Sequence, residues 1–151
     1  MTPLHHIVPE GASRSRIAMT HAELVAWGER LGTAASPPLI IAVSGELGAG
    51  KTTLAQAICR GYGVTDDVTS PTFALVHEYH AERSQVFHLD LYRLAGPADL
   101  TNLGWDDIIS ANALVLVEWP DRAAHRLPRN HVPIEIEHLA GDATRRVLLA
   151  G

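Results

Sequence analysis

A glycine-rich segment preceded by five apolar residues constrains this chain more than any other feature. Leu39-Ile-Ile-Ala-Val43 is rich in β-branched residues and lacks polar alternation, the pattern of a strand buried on both faces. Gly45-Glu-Leu-Gly-Ala-Gly50-Lys51-Thr52-Thr53 follows at once and satisfies G-x-x-x-x-G-K-[ST] at every fixed position. The residue types follow from the chemistry. Phosphate oxygens must approach backbone N–H groups, and glycines let the main chain curl tightly without a Cβ in the way. A helix opening at Lys51 adds free N–H groups and a partial positive charge. Lys51 reaches the β- and γ-phosphates, the Thr52 hydroxyl ligates Mg²⁺, and Gly48, Ala49, Gly50 and Thr53 complete the cradle.

Composition narrows the rest. Of the 12 basic residues, 11 are arginine, and Lys51 is the only lysine. A guanine-reading N/T-K-x-D signature therefore cannot exist in this chain, which removes the usual GTPase reading. The net charge of −5 argues against a protein that grips nucleic acid on its own. No apolar run approaches the ~20 residues needed to span a bilayer, and no charged start leads into an apolar stretch, so neither a membrane span nor a signal peptide is expected. A single cysteine, Cys59, excludes an internal disulfide and fits a cytoplasmic location. At 151 residues the chain suits one domain, 16–151, behind a flexible extension, 1–15.

Thr20-His-Ala-Glu23 is a capping-box pattern and predicts a first helix from Thr20 to Leu31, with Gly32 as its stop. The helix after the glycine loop is expected from Lys51 to Arg60, closed by Gly61 and Gly63. Val76 to His80 and Gln85 to Tyr92 alternate like a hairpin, placing His88, Asp90 and Tyr92 on one face. Short helices are expected after Gly96-Pro97, near Trp105 to Ser110 and at Asp121 to Leu127. Ala113 to Val117 is a second fully apolar strand, ending in Glu118, and two C-terminal strands meet at Gly141-Asp142. The fold class expected is α/β: a single-domain P-loop NTPase-like fold, with a mixed, mostly parallel sheet, flanking helices and an antiparallel hairpin.

A phosphate loop needs an acid at the end of a neighbouring buried strand to organise the Mg²⁺ shell. Glu118 has that placement, and Asp90 is the second candidate. Thr72, behind the bend at Pro71 and preferred here to Ser70, suits a switch that contacts Mg²⁺ or the γ-phosphate, though by position alone a simple turn fits the segment equally well. The nine histidines fit no zinc spacing. Trp27 and Trp105 read as packing residues. Trp119 either lines the site or packs in the core, and Arg122, Arg126 and Arg129 read as a solvated helix face.

Residues 45–53, Ser-Pro-Thr-Phe at 70–73, His-Leu-Asp-Leu-Tyr-Arg-Leu at 88–94 and Val-Glu-Trp-Pro at 117–120 occur in that order. Together they resemble the bacterial TsaE (YjeE) family, the ATPase component of tRNA threonylcarbamoyladenosine biosynthesis. The resemblance covers about Thr20 to Pro128. It implies a protein that binds Mg-ATP, hydrolyses it slowly alone, and docks with the TsaB and TsaD proteins. Those partners carry threonylcarbamoyl transfer to the adenosine beside the anticodon of tRNA. By matching position it gives Thr52 and Glu118 as Mg²⁺ residues, Thr72 as the switch-like threonine, Asp90 as the essential aspartate and Trp119 as the tryptophan beside the site. It also suggests adenine contacts near Thr20 and His21. The family usually has Asp where Glu46 stands. Either Asp90 or Glu118 orients the attacking water. Two alternatives stay open: a P-loop small-molecule kinase, and a nucleotide-gated assembly factor in which ATP binding matters more than hydrolysis.

Overall fold

The computed structural model describes residues 17–69, 71, 75–139 and 141–150, with the backbone alone for 143–150. The expected extension, 1–15, and Thr72 lie outside the described residues. In chain order the elements are β1 (Ile17–Thr20), α1 (His21–Ala34), β2 (Leu39–Gly45), α2 (Lys51–Tyr62), β3 (Val76–His80), β4 (Gln85–Asp90), a 3₁₀ helix (Pro97–Leu103), α3 (Trp105–Ser110), β5 (Leu114–Glu118), a second 3₁₀ helix (Pro120–Arg126), β6 (Val132–Leu139) and β7 (Asp142–Ala150). No helix among the described residues is long and apolar enough to cross a membrane.

The capping box forms as its residues require. The Glu23 N–H donates to Thr20 Oγ1 at 3.2 Å, and the Glu23 carboxylate accepts from the Thr20 N–H at 3.0 Å. The far end of α1 differs from expectation, since Gly32 lies inside the helix rather than stopping it. A Cβ at Gly32 would stand 2.0 Å from the Ile58 carbonyl oxygen of α2. A Cβ at Gly61 would likewise stand 2.0 Å from the Glu29 carbonyl oxygen of α1. Both glycines are contact points that let two backbones touch. For the same reason α2 continues through Gly61 to Tyr62, and Gly63 closes it, its N–H returning to the Cys59 and Arg60 carbonyls. The last carbonyls of α1 are satisfied from a distance: Arg83 Nη1, in the turn after β3, donates to Gly32 O, Thr33 O and Ala35 O at 2.9, 3.1 and 3.0 Å.

The seven strands form one sheet in the order β1-β7-β6-β2-β5-β4-β3. Its centre, β6-β2-β5-β4, is parallel, and its margins are antiparallel: β3 with β4 on one side, β7 with β6 and β1 on the other. Side-chain alternation divides the core into two. Ile41, Val43 and Leu116 face α1 and α2, meeting Trp27, Leu31, Leu54 and Ile58. Ile40, Val115 and Val117 face the opposite layer of short helices, meeting Leu100, Trp105 and Ile108. Trp27 and Trp105 are thus packing residues, and Cys59 is buried in the first core.

The expected helix at Asp121 to Leu127 is a 3₁₀ segment interrupted at Ala124, where φ is 49°. Its arginines do not form one solvated face. Arg122 and Arg129 are exposed, but the Arg126 guanidinium donates to Pro97 O, Thr101 Oγ1 and Asp106 Oδ1 at 3.0–3.2 Å. The Arg126 carbonyl in turn accepts from Trp105 Nε1. Arg126 therefore ties together the three short helices of that layer.

Candidate functional site

Three adjacent parallel strands end on the same edge of the sheet, and each delivers part of the site there. β2 runs into the glycine loop, β5 ends in Glu118 and β4 ends in Asp90. Strand register aligns the ends: Val43 pairs with Glu118, and Glu118 with Asp90. This is the carboxyl edge, where open α/β sheets bind ligands.

Two glycines make the loop possible. At Gly45 a Cβ would meet the Ile136 carbonyl oxygen at 2.4 Å, so only glycine lets the loop leave β2 against β6. Gly50 has φ 111° and turns the chain into α2. Ala49 is buried, whereas Leu47 at the loop's tip is 63% exposed. The side chain of Lys51 runs back under the loop, where Nζ donates to Gly45 O and Glu46 O, each at 2.7 Å. Nζ also lies 4.4 Å from the ring centroid of Trp119. Burial pushes the Lys51 ammonium below its ordinary range, while the charges of Glu118 and Asp90 pull it partly back.

Thr52, one residue on, points at Glu118: its hydroxyl donates to Oε1 at 3.3 Å and to Oε2 at 3.4 Å. A hydroxyl and a carboxylate side by side form the hard oxygen donor set that suits Mg²⁺, whose remaining positions are filled by water and phosphate oxygens. The residues present therefore fit that ion. Among the described residues no group of three or more His, Cys, Asp and Glu side chains is arranged to hold a metal unaided. Asp90 is 6% exposed, and its Oδ1 accepts the Tyr92 N–H at 3.0 Å. Trp119 lines the site and also packs, partly buried, against the second core. It adopts φ 57°, its N–H donates to Val43 O, and its ring lies 4.9 Å from that of Tyr92. A concavity of about 530 Å³ joins these groups, lined by Gly48, Lys51, Thr52, Asp90, Glu118 and Trp119 among others. A larger one of about 800 Å³ opens at the amino ends of β2, β5 and β6, but no charged side chain lining it is buried.

The structure thus brings Gly48, Gly50, Lys51, Thr52, Thr53, Asp90 and Glu118 together around one concavity, while Ala49 turns into the first core. Thr20 and His21 stand at the start of α1, outside the residues lining this concavity. One neighbour went unassigned in the sequence reading. His88 on β4 is fully buried, and its Nε2 donates to Glu118 Oε2 at 2.5 Å. Its other ring nitrogen, Nδ1, has no hydrogen-bond partner among the described residues, a burial cost of about 1–3 kcal/mol. The available signal was its position two residues before Asp90, hence on the same strand face.

Comparison with known proteins adds to this geometry. The profile of the family described as threonylcarbamoyl adenosine biosynthesis protein TsaE matches residues 18–147. The tRNA threonylcarbamoyladenosine biosynthesis protein TsaE of Haemophilus influenzae is 32% identical over 138 residues, covering 91% of this chain and 84% of its own length. The protein of the same name from Treponema pallidum is 33% identical, with coverages of 82% and 90%. Among solved structures, YdiB of Bacillus subtilis superposes with a TM-score of 0.74 at 27% identity, covering 91% of this chain and 86% of its own.

Proposed function

Because the chain belongs to the TsaE family, we propose that it binds Mg-ATP and hydrolyses it slowly to support a TsaB–TsaD complex in forming threonylcarbamoyladenosine beside the anticodon of tRNA. The observation that carries this reading is the meeting of Lys51, Thr52, Asp90 and Glu118 at one edge of the sheet. In this reading tRNA is reached through the complex, and the work belongs to the cytoplasm, where tRNA is modified.

Each side chain has a distinct task. The loop amides of 48–53 donate to the phosphate oxygens at the N-terminus of α2. Lys51 exchanges the carbonyls of Gly45 and Glu46 for β- and γ-phosphate oxygens, and so offsets charge that develops as the terminal bond breaks. Thr52 and Glu118 would hold Mg²⁺, which when bound would supply positive charge to offset that of the phosphates. Either Asp90 or Glu118, which end side by side on adjacent strands, orients the attacking water. Thr72 is proposed as the sensor of the γ-phosphate. Trp119 and Tyr92 form an aromatic wall that excludes water from one side.

The test is reconstitution with TsaB, TsaD and tRNA, following ATP hydrolysis and modified adenosine together. Lys51→Ala and Glu118→Gln are each expected to lower turnover by about a hundredfold or more. Unchanged turnover in either variant refutes the assignment. Full tRNA modification by a Glu118→Gln protein that binds ATP without hydrolysing it selects the nucleotide-gated assembly reading instead.

A further inference from the structure

We propose that His88 is a positioning residue that locks the Glu118 carboxylate in the orientation needed to hold a divalent cation, an inference that rests on the Mg-ATP reading of the site. The backbone of His88 pairs with Leu116 on β5, and Glu118 lies two residues further along that strand, on the same face. The imidazole therefore reaches diagonally forward between neighbouring strands. Nε2 carries the proton it gives to Oε2, because a carboxylate only accepts. That bond fixes one oxygen of Glu118 and leaves Oε1, 3.3 Å from the Thr52 hydroxyl, directed toward the loop.

Burial sharpens the case. His88 is wholly inside the protein, Glu118 is 2% exposed, and Nδ1 has no partner among the described residues. An apolar side chain would fill this position without an unsatisfied nitrogen, so packing does not account for a histidine here. The bond to Glu118 does. Without it the carboxylate is left to the Thr52 hydroxyl, which stands almost equally far from its two oxygens, 3.3 and 3.4 Å, and so does not fix which of them faces a cation. Partners that orient a metal-binding side chain typically contribute 10–100-fold to metal affinity.

The experiment measures Mn²⁺ affinity of the protein–ADP complex by the electron paramagnetic resonance signal of free Mn²⁺, beside metal-free ADP affinity by equilibrium dialysis. His88→Leu removes the donor at similar volume, and His88→Gln places an amide N–H where Nε2 stood. The leucine variant is expected to weaken Mn²⁺ binding about 10–100-fold while metal-free ADP binding changes less than about threefold. The glutamine variant is expected to restore Mn²⁺ affinity to within about threefold of the parent. Should the leucine variant not fold, His88→Asn, whose amide stops short of Glu118, is judged by the same criterion. Parent-like Mn²⁺ affinity in the leucine or asparagine variant overturns the proposal. So does a folded glutamine variant as weak as the leucine one, since that marks a purely structural histidine. A parent protein that takes up no Mn²⁺ with ADP overturns the Mg-ATP reading itself, and the His88 assignment with it.

Discussion

Replacing Gly32 by alanine sets two effects of opposite sign against each other. By helix propensity alone, Gly→Ala inside a helix stabilises by about 1 kcal/mol, partly by restricting the unfolded chain. Gly32 is inside α1, so that gain applies. The added Cβ, however, would lie 2.0 Å from Ile58 O, 2.8 Å from Tyr62 N and 2.9 Å from Ile58 C. All three are backbone atoms of α2, and none can rotate away as a side chain would. Relief to an ordinary contact of ~3.4 Å moves one helix by more than an ångström, and gaps of only about 0.5–1 Å already forfeit a quarter to a half of the dispersion energy of the contacts they open. Overpacking of this kind costs about 1–3 kcal/mol where neighbours yield, and more where they are backbone. Taking about 3–4 kcal/mol for the clash and about 1 for the propensity gain leaves a net loss of about 2–3 kcal/mol.

For a chain of this length each kcal/mol moves the midpoint by about 2–4 °C, so the expected fall in Tm is about 5–10 °C. Thermal and urea unfolding followed by circular dichroism measure it. Gly28→Ala is the internal comparison. Its Cβ meets side chains, Ala57 Cβ at 2.8 Å and Leu54 Cδ1 at 2.9 Å, so Ala57→Gly should relieve part of its loss. No side-chain truncation on α2 should relieve Gly32→Ala. A Gly32→Ala protein as stable as the parent, or more stable, refutes the reading of Gly32 as a point of helix contact.

Arg83→Ala should lower stability by about 2 kcal/mol, because three carbonyls at the end of α1 lose a charged donor and Tyr62 loses the guanidinium 5.1 Å from its ring. Urea unfolding checks it, and Arg83→Lys should recover only part, since one ammonium cannot reproduce the planar fork. Burial pushes the Cys59 thiol up to about 12, with Arg60 offsetting a small part. The unfolded thiol ionises near its ordinary value, so the native state holds the proton longer. Its stabilising contribution is full below about pH 8.5 and is lost above it at about 1.4 kcal/mol per pH unit. Cys59→Ala should therefore show a flatter decline between pH 9 and 11 than the parent in urea titrations. Equal slopes would refute it.

What was legible in the sequence was local. The capping box at Thr20 and Glu23, the unalternating strands at Leu39 and Leu114, and the glycine loop each sit within a dozen residues, and their physics closes within that span. The polar face of β4 was legible as a face because alternation fixes it. What escaped depended on who lies opposite. Gly32 and Gly61 read as helix ends because a glycine near the end of a helical pattern usually is one. Only the packing of α1 on α2 shows them as close approaches. Arg126 read as a surface charge because its acceptors lie 20–29 residues away. His88 could be placed beside Asp90 by strand period, but its bond to Glu118 needs the parallel register of β4 on β5, which no local pattern encodes.

The same register sets the electrostatics of the proposed site. Parallel strands ending together put Glu118 and Asp90 side by side at the mouth of a loop built to bind anions, where like charges repel. Two cationic side chains, Lys51 and Arg93, line the same concavity. In the proposed reading those two charges do not by themselves offset two carboxylates and a polyphosphate in a partly desolvated pocket. A divalent cation held by Thr52 and Glu118 would add to them and turn repulsion by Glu118 into attraction. No protein-only cage for that ion exists among the described residues, so in this reading it binds together with the nucleotide. In the same reading the two carboxylates would favour the metal complex over metal-free ATP, which would meet their negative charge uncompensated.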